Sequence, residues 1–455
     1  MIRHRPAIRS YPSRFTSVAE QQAAVESSLS WVQIIAFLVF NVLLAYLSRQ
    51  SNLFSSAYGW GVLLLGIFWL MRDKQPVRVM YLCAYLVGVE LVWRATGAGV
   101  FYEFGKYAIA FLLILAILKF KLLHAANKWP VLYFVLLLPS IFLLPSFDRQ
   151  MISFFLSGPF LLAVSVMFFS TAKISLGQLK RMIVAVLGPT VGIAFLALFT
   201  TFTAADLTFS TQSNFTTSGG FGPVQVSLQL GLGALLAFYY AILEKKNGLI
   251  AVTMLILAIW LISQSVFTFS RSGLYNTVGA LLAGSFFLFR EPRQRIALIL
   301  GGALSLALFV WVIFPALDDF TDGRLGLRYQ DTRTTGRDVL IRADWQAFIE
   351  NPVFGVGPGE SRFYHGRFGI FTSSHTEYTR LLSEHGSLGL VSLLILLSMA
   401  ASRALRKMTS AQKGIVILLT AWAMLYMLNT TMRTAAPGFL FGLAGATFLF
   451  DENEE

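Results

Sequence analysis

Polar side chains that could do chemistry are concentrated in one segment of the chain, residues 316–385. The segment contains three histidines at ten-residue spacing, His365, His375 and His385, and this spacing is not a usual zinc-binding pattern. Histidine has an ordinary pKa of about 6.5, so its neutral ring can take a proton from a hydroxyl group at neutral pH. His375 is the candidate general base, whereas His365 and His385 are interpreted as surface or structural residues.

The first half of this segment is predicted to contain one helix followed by a rigid turn. Residues 335–338 open the helix, because apolar side chains recur at three- to four-residue spacing within 339–348. Asn351 and Pro352 end it. The Gly- and Pro-rich residues 355–359 permit positive φ angles and fix a bend, so a turn is expected there. A long loop that folds in this way usually carries function.

The second half of the segment is predicted to contain the helix that carries the candidate base. Ser373 and Ser374 are expected to cap this helix, with Glu377 completing a capping box three residues after Ser374. His375 then falls in the first turn of the helix. The helix is expected to run to Gly386 and to lead into the next apolar run.

The composition places these elements in a membrane protein. Of the 455 residues, 56% are hydrophobic and only 13% are charged, against about 25% charged residues in a soluble domain. The net charge of +13 does not indicate nucleic-acid binding, because the basic residues are spread in small groups between apolar runs. The single cysteine, Cys83, excludes a disulfide framework and a cysteine-based metal site.

The apolar runs predict an all-α polytopic membrane protein with about 12–14 transmembrane helices. The candidate runs are approximately 31–48, 57–71, 78–93, 107–120, 130–146, 152–170, 182–202, 221–243, 248–268, 272–289, 296–315, 386–402, 411–428 and 434–450. If the N-terminus is cytoplasmic, most of the 36 Lys and Arg residues fall on the cytoplasmic side, as the positive-inside rule requires. Both termini are therefore expected in the cytoplasm, and the 316–385 loop on the opposite face.

The predicted domain organisation follows from this topology. It consists of a cytoplasmic segment at 1–30, the first eleven transmembrane helices within 31–315, the folded loop at 316–385, the last three helices within 386–450 and a cytoplasmic tail at 451–455. The first apolar run is interpreted as an uncleaved anchor, because it is long enough to span and no A-x-A-like site closes it.

Four motifs lie in and around the loop. In chain order they are Ser270–Gly273, Gly336–Arg337 with the helix of Trp345, Asn351–Gly359, and Ser374–Tyr378 with Leu382, Glu384, Gly386 and Gly389. Together they resemble the O-antigen ligase and O-antigen polymerase superfamily of bacterial polysaccharide assembly. They lie within residues 262–395, and their order and their placement around the loop make the set specific. One departure is Thr376, where members of the superfamily often have Asn after the histidine. This departure bears on the choice of subfamily more than on the resemblance to the superfamily.

The resemblance implies a glycosyltransferase of the bacterial inner membrane. Such enzymes transfer a glycan from undecaprenyl diphosphate to an acceptor hydroxyl at the periplasmic face, without a metal or another cofactor, and direct displacement would invert the anomeric centre. The acceptor is the lipid core of lipopolysaccharide for a ligase and another lipid-linked glycan for a polymerase, and the sequence leaves the two open. The expected partners are the donor, the acceptor and the lipid bilayer, with no nucleic acid.

The resemblance also implies roles for three residues. Arg271 and Arg337 are assigned to the donor diphosphate, because a planar guanidinium donates paired hydrogen bonds to phosphate and stabilises leaving-group charge. His375 would act as general base on the acceptor hydroxyl. Structural interpretations stay open, namely lipid headgroups for Arg271, a pair with Asp331 or Asp338 for Arg337, and helix capping for His375.

Four further charged residues are candidate substrate-binding groups. Arg342 and Arg380 lie in the loop, where solvated charges are common. Glu90 and Arg94 lie near the outer end of the predicted third crossing, where ionisable residues often serve function. An i, i+4 ion pair between Glu90 and Arg94 explains these two residues equally well.

Two other functions remain open at this point. A polytopic transporter or flippase for a lipid-linked glycan would place charged residues at mid-membrane and show repeat symmetry, whereas this chain concentrates its ionisable residues in a loop. A cell-division-type peptidoglycan polymerase would use an acidic residue of the large loop, and Asp318, Asp319 and Asp322 keep that alternative open.

Overall fold

The structure is a computed structural model that describes residues 29–288, 292–332 and 336–450. Nearly all of the predicted N-terminal segment, the predicted tail 451–455 and Thr335 at the start of the first loop helix lie outside these ranges. Within them the α-helices are α1 Trp31–Gln50, α2 Asn52–Arg72, α3 Val77–Ala95, α4 Phe104–Lys119, α5 Trp129–Val135, α6 Arg149–Phe169, α7 Leu176–Thr203, α8 Pro223–Leu243, α9 Gly248–Phe267, α10 Ser272–Leu288, α11 Pro292–Leu308, α12 Phe314–Phe320, α13 Arg324–Gln330, α14 Arg337–Glu350, α15 Ser361–Gly366, α16 Glu377–Leu405, α17 Ser410–Asn429 and α18 Ala436–Leu443. Two three-residue strands, β1 Lys173–Ser175 and β2 Thr447–Leu449, pair in parallel.

This architecture confirms the predicted all-α polytopic class. In the described part of the chain, nine helices are long and apolar enough to cross a membrane. They are α1, α2, α6, α7, α8, α9, the stretch Leu298–Phe320, α16 and α17. Of the remaining helices, α3 packs against α7, α4 against α6 and α10 against α17. The number of crossings and the domain boundaries stay predictions.

Three of the predicted runs differ in detail from a single helix. The run 130–146 consists of α5 and a 3₁₀ turn at Pro139–Leu143, since a proline ends the regular hydrogen-bond ladder. The run 434–450 consists of α18 and β2. The run 296–315 continues through a π-helical turn at Phe309–Ile313 into α12, so helical structure extends past the predicted end of this run to Phe320.

The start of α10 is held close to α8 by small residues. A Cβ on Gly231 of α8 would lie only 2.7 Å from the carbonyl oxygen of Gly273, so glycine permits this approach. The Ser227 hydroxyl lies 2.9 Å from the Ser270 carbonyl oxygen and accepts a 3.1 Å hydrogen bond from the Gly273 amide. These contacts fix the backbone on which Arg271 stands.

The first loop helix and the glycine turn form as predicted. Helix α14 runs from Arg337 to Glu350, with Gly336 and Asn351 as its end residues. The turn that follows has positive φ angles at all three of its glycines, Gly355, Gly357 and Gly359. Local turn and periodicity signals were therefore sufficient for this part of the loop.

The predicted start of the second loop helix was wrong. Helix α16 begins at Glu377, and its cap is Thr376, whose hydroxyl accepts from the Tyr378 amide. The predicted capping box does not form, because the Ser374 hydroxyl donates to Asp344 instead, at 2.7 Å. His375 therefore lies just before the helix rather than in its first turn.

A kink in α16 joins the loop to the membrane helix. Gly386 has φ 60° and ψ −138°, a conformation that essentially only glycine adopts. The kink frees carbonyl groups of the preceding turn, and two of them accept hydrogen bonds from the glycine turn: Val356 donates to Ser383 and Gly357 to Glu384, both at 3.0 Å. The glycine turn thus locks the orientation of the segment that follows His375.

Candidate active site

Three arginines from separate elements meet at the end of the bundle that carries the loop. Arg271 precedes α10, Arg328 lies on α13 and Arg337 opens α14. The Arg271 guanidinium donates to the Asp331 carbonyl oxygen, and the Arg328 Nε donates to the Phe269 carbonyl oxygen at 3.0 Å. These bonds tie the loop to the residues around the start of α10.

Arg337 is oriented by neutral groups of two other helices, α10 and α17. Its guanidinium donates to the Asn429 Oδ1 at 3.2 Å and to the Ser272 hydroxyl at 3.4 Å. The Asn429 side chain in turn donates to the Asn276 Oδ1 at 3.2 Å. Because Ser272 follows Arg271 in the chain, the structure brings together the two arginines that the sequence assigned to one site.

The charges of the three arginines are concentrated in a small volume. Burial lowers the pKa of Arg337, and the positive charges of Arg271 and Arg328 lower it further. Burial lowers the pKa of Arg328 in the same way, with the charge of Arg271 adding to the effect. Arginine keeps its proton in proteins, so the cluster suits a multiply charged anion that can accept several hydrogen bonds.

His375 lies within the electrostatic field of Arg337, one member of this cluster. Burial lowers its pKa to about 4, and the positive charges of Arg433 and Arg337 contribute. The ring is therefore neutral at pH 7. Its Nδ1 is buried and has no hydrogen-bond partner among the described residues. A neutral imidazole with an unused nitrogen can accept a proton from a hydroxyl group.

Arg433 is a candidate site residue that the sequence reasoning missed. It lies between α17 and α18, and its guanidinium donates to the Ser373 hydroxyl at 2.9 Å, two residues before His375. Burial lowers the pKa of Arg433. A signal was present, because a lone arginine in a short outer connection runs against the positive-inside rule.

Glu90 and Arg94 form the i, i+4 ion pair that the sequence offered as an alternative to substrate binding. The Arg94 guanidinium lies 2.7 Å from the Glu90 carboxylate and 3.5 Å from that of Glu103. The same two residues hold the connection that carries Arg433: Arg94 donates to the Arg433 carbonyl oxygen at 2.9 Å, and Glu90 accepts from the Ala435 amide at 2.7 Å. They position Arg433 through its backbone.

Asp344 is a second residue that the sequence reasoning missed. Its fully buried carboxylate accepts hydrogen bonds from side chains of three separate segments. The donors are His365 at 2.8 Å, Ser374 at 2.7 Å, Thr379 at 2.6 Å and Ser383 at 3.3 Å. Because Ser374 adjoins His375, Asp344 fixes the backbone next to the candidate base.

His365 is the buried partner of this carboxylate. Burial lowers the pKa of His365, but its hydrogen bonds to Asp344 and to the Thr372 carbonyl outweigh that effect, and the pKa is raised. His385 is also buried, with its Nδ1 2.6 Å from the Ser140 hydroxyl. Both histidines make internal contacts that support the loop.

The two remaining candidate arginines do not join the cluster. Arg380 is fully buried and binds the carboxylates of Glu377 at 2.5 Å and Glu384 at 2.8 Å, within its own helix. The Arg342 side chain is 76% exposed on α14, 3.6 Å from Asp338. The guanidinium of Arg380 is therefore engaged by two carboxylates rather than available to a substrate. Arg342 lies on the solvent-exposed face of the loop.

Among the acidic residues at the start of the loop, Asp318 has a structural role. The Asp318 carboxylate accepts a 2.7 Å hydrogen bond from the Gly326 amide and so closes the turn before α13. This contact gives Asp318 a structural explanation and weakens the alternative in which Asp318 carries the chemistry.

The fold and this cationic site define a polytopic membrane protein with a folded extramembrane loop. Residues 256–394 match the family model described as O-antigen ligase, and this match supports the resemblance of the chain's motifs to the O-antigen ligase and polymerase superfamily. The matched segment is just under a third of the chain. No curated protein matches the chain.

The matched segment contains most of the site. Arg271, Arg328, Arg337, Asp344 and His375 all lie within it. The family supports a glycosyltransferase activity of the ligase or polymerase type in a multi-pass membrane protein.

Proposed function

We propose that the protein transfers a glycan from undecaprenyl diphosphate to an acceptor hydroxyl at the periplasmic face of the bacterial inner membrane. The observation that carries the proposal is the cluster of three arginines, Arg271, Arg328 and Arg337, of which Arg337 is close enough to the neutral His375 for its charge to act on the ring. The arginines offer the charge and the hydrogen bonds that a diphosphate requires, and the histidine offers a base for the acceptor.

The proposed reaction is a single displacement without a metal. The arginine cluster binds the donor diphosphate, and His375 takes the proton of the acceptor hydroxyl while the acceptor oxygen bonds to the anomeric carbon. The bond from that carbon to the diphosphate oxygen breaks, and its electron pair leaves with undecaprenyl diphosphate. The arginines stabilise the charge that develops on this leaving group, which is usually the largest catalytic contribution. The anomeric centre is inverted.

The same arrangement couples base strength to donor binding. Burial and the charges of Arg433 and Arg337 lower the pKa of His375 to about 4, so the ring is a weak base before the donor arrives. A bound diphosphate brings negative charge next to Arg337 and offsets this field, which raises the pKa of the histidine. His375 therefore becomes a stronger base when the donor occupies the cluster.

The proposed topology puts both termini in the cytoplasm and the loop in the periplasm. The ends of α16 and α17 opposite the site carry Arg403, Arg406, Lys407 and Lys413, as expected for a cytoplasmic face. Ligase and polymerase differ in the acceptor alone, so the two are separated by supplying either a lipid core or a second lipid-linked glycan.

The decisive experiment uses purified protein in detergent with a lipid-linked glycan donor and both acceptors. Wild-type protein should form product without any ion gradient, whereas a transporter or flippase would not. His375→Ala should reduce the rate by about 10²- to 10⁴-fold. His124→Ala is the matched control, because His124 is exposed near the opposite end of the bundle, and it should react like wild type.

The outcomes separate the parts of the proposal. Unchanged product from His375→Ala would remove the base assignment, while absence of wild-type product with both acceptors would contradict glycosyl transfer. Nuclear magnetic resonance of the product should show the inverted anomeric configuration. Retention would contradict a single displacement.

A further inference from the structure

A large cavity lies at the end of the bundle opposite the candidate active site. Its volume is about 740 Å³. The lining comes from the connection between α2 and α3, from the end of α6, from β1 and the start of α7, and from Leu449 of β2. The clustered arginines and His375 of the candidate active site do not line this cavity.

The rim of this cavity is positively charged. Four cationic side chains line it, Lys74, Arg78, Lys173 and Arg181, against the single acidic residue Asp73. Asp73 is engaged by Arg78 at 3.3 Å. Lys74 and Lys173 are exposed, and neither has an acidic partner within the described ranges. Net positive charge therefore faces the opening.

The floor of the cavity is apolar. Phe168 of α6 is fully buried and Met80 of α3 is 2% exposed, and both contribute to the lining together with Val77 and Leu122. A free inorganic anion would gain nothing from such a floor. A phospholipid presents a phosphate next to a glycerol group and acyl chains, so its chemistry matches both the rim and the floor.

We propose that this cavity binds an anionic phospholipid of the cytoplasmic leaflet, with its phosphate at Lys74 and Lys173 and its glycerol end over the apolar floor. Basic pockets between transmembrane helices on the cytoplasmic side are suited to such headgroups. The inference uses the proposed topology only to name the leaflet, and it does not depend on glycosyl transfer.

Lipid binding here would stabilise a junction between distant parts of the chain. β1 pairs with β2 in the register Lys173 to Thr447, and Leu449 lines the cavity. A headgroup held by Lys173 therefore contacts the strand that precedes α7 and the strand that follows α18. The bound lipid should raise the thermal midpoint of the whole bundle, because a ligand that binds only the folded state stabilises it.

The test compares four probes on the purified full-length protein in a neutral detergent. Phosphatidylglycerol should bind and raise the melting temperature, whereas phosphatidylcholine and inorganic phosphate should do so weakly or not at all. Cardiolipin should behave like phosphatidylglycerol. The double variant Lys74→Gln/Lys173→Gln should bind phosphatidylglycerol about 30-fold more weakly, from two surface lysines near an anionic headgroup.

A matched control removes the same charge outside the cavity. Lys121→Gln/Lys407→Gln changes two exposed lysines that do not line it, and affinity should stay within about twofold of wild type. An equal loss of phosphatidylglycerol affinity in both double variants would overturn the proposed lipid site, since it would show only a general effect of charge. Equal binding of phosphatidylcholine, or binding of inorganic phosphate as tight as that of the lipid, would overturn the lipid assignment.

A second measurement does not rely on the variants. A photoreactive phosphatidylglycerol analogue bound to wild-type protein should crosslink to peptides that contain residues 73–81 and 168–181. Crosslinks confined to other peptides would contradict the proposal. Glycosyl transfer by the Lys74→Gln/Lys173→Gln protein, measured in mixed micelles, should match wild type, so failure at this cavity is distinct from failure at the active site.

Discussion

The guanidinium of Arg337 lies 3.4 Å from the hydroxyl of Ser272, the residue that follows Arg271 in the chain. This contact joins the first turn of the loop helix α14 to the first turn of α10. Two residues more than 60 positions apart in the sequence thereby face one volume. The distance between their charges is set by this contact and by the Asn429 side chain that also binds Arg337.

Arg337→Ala should lower the rate of glycan transfer by about 10²- to 10³-fold, because a preorganised donor to the leaving group is lost. Arg337→Lys should recover part of the rate, since an ammonium keeps the charge but cannot donate in the paired geometry. The measurement is the initial rate with purified protein at saturating donor. Arg342→Ala on the same helix is the control, and a loss there equal to that of Arg337→Ala would contradict the assignment.

The acidic side of the pH profile should report His375. The base must be neutral, and its pKa in the free protein is about 4, so kcat/KM should stay level from pH 7 to about pH 5 and fall as the pH drops through 4. Arg433→Gln removes a positive charge that lowers this pKa, so its profile should begin to fall at a higher pH.

The field at His375 also includes His365, which lowers its pKa, and Asp344, which raises it. The control for the Arg433 variant is Arg342→Gln, whose profile should follow wild type. Two results would argue against His375 as the titrating base. One is a fall of kcat/KM near pH 6.5 in the wild type, and the other is a fall at the same pH in the Arg433→Gln and Arg342→Gln variants.

Asp344→Asn should reduce both stability and turnover. The carboxylate accepts four hydrogen bonds in the interior of the loop, and loss of a buried charge from such a network costs about 3 kcal/mol. Since Asp344 positions His375 through Ser374, kcat should fall more than KM rises. Thermal unfolding and steady-state kinetics measure the two effects.

Asp338→Asn provides the comparison for Asp344. Asp338 lies on the same helix, its side chain is 45% exposed and it pairs with the exposed Arg342, so its substitution should change the melting temperature by little. A kcat that is unchanged in Asp344→Asn would show that this carboxylate serves folding alone.

Gly386→Ala should destabilise the junction between the loop and the membrane helix. Its backbone conformation is one that other residues adopt at a cost of about 1–3 kcal/mol, and a Cβ would lie 2.6 Å from the Gly355 amide nitrogen and the Val353 carbonyl oxygen. The fraction of monodisperse protein after heating should fall. Gly61→Ala is the control, because nothing lies within 4 Å of its Cβ position, and alanine there should be tolerated or stabilising.

The parts of the loop that local signals determine were predictable from the sequence. The bounds of α14 and the glycine turn depend on periodicity, on Asn351 with Pro352 and on glycines with positive φ, all of which act over a few residues. The start of α16 depends on a contact between Ser374 and Asp344, thirty residues apart, so a local capping rule chose the wrong position for His375.

The sequence singled out Arg271, Arg337 and His375 because a residue type and a motif coincided there. The structure brings Arg271 and Arg337 into one charged cluster, and the roles of all three residues stay predictions. Arg433 and Asp344 were missed because their importance comes from packing between separate segments. Arg380 shows the opposite case: nothing in the sequence distinguished a free guanidinium from one enclosed by Glu377 and Glu384 in the same helix.

The ion pair of Glu90 and Arg94 limits what an exchange of the segment 256–394 between related proteins can transfer. Arg433 faces His375 from outside the segment 256–394, and its backbone is held by a helix from the first quarter of the chain. Consider a chimera in which residues 256–394 come from a relative. Its histidine base comes from the relative, whereas the residue at position 433 comes from the host chain. The part of the pH dependence that comes from Arg433 should therefore follow the host rather than the segment that was exchanged.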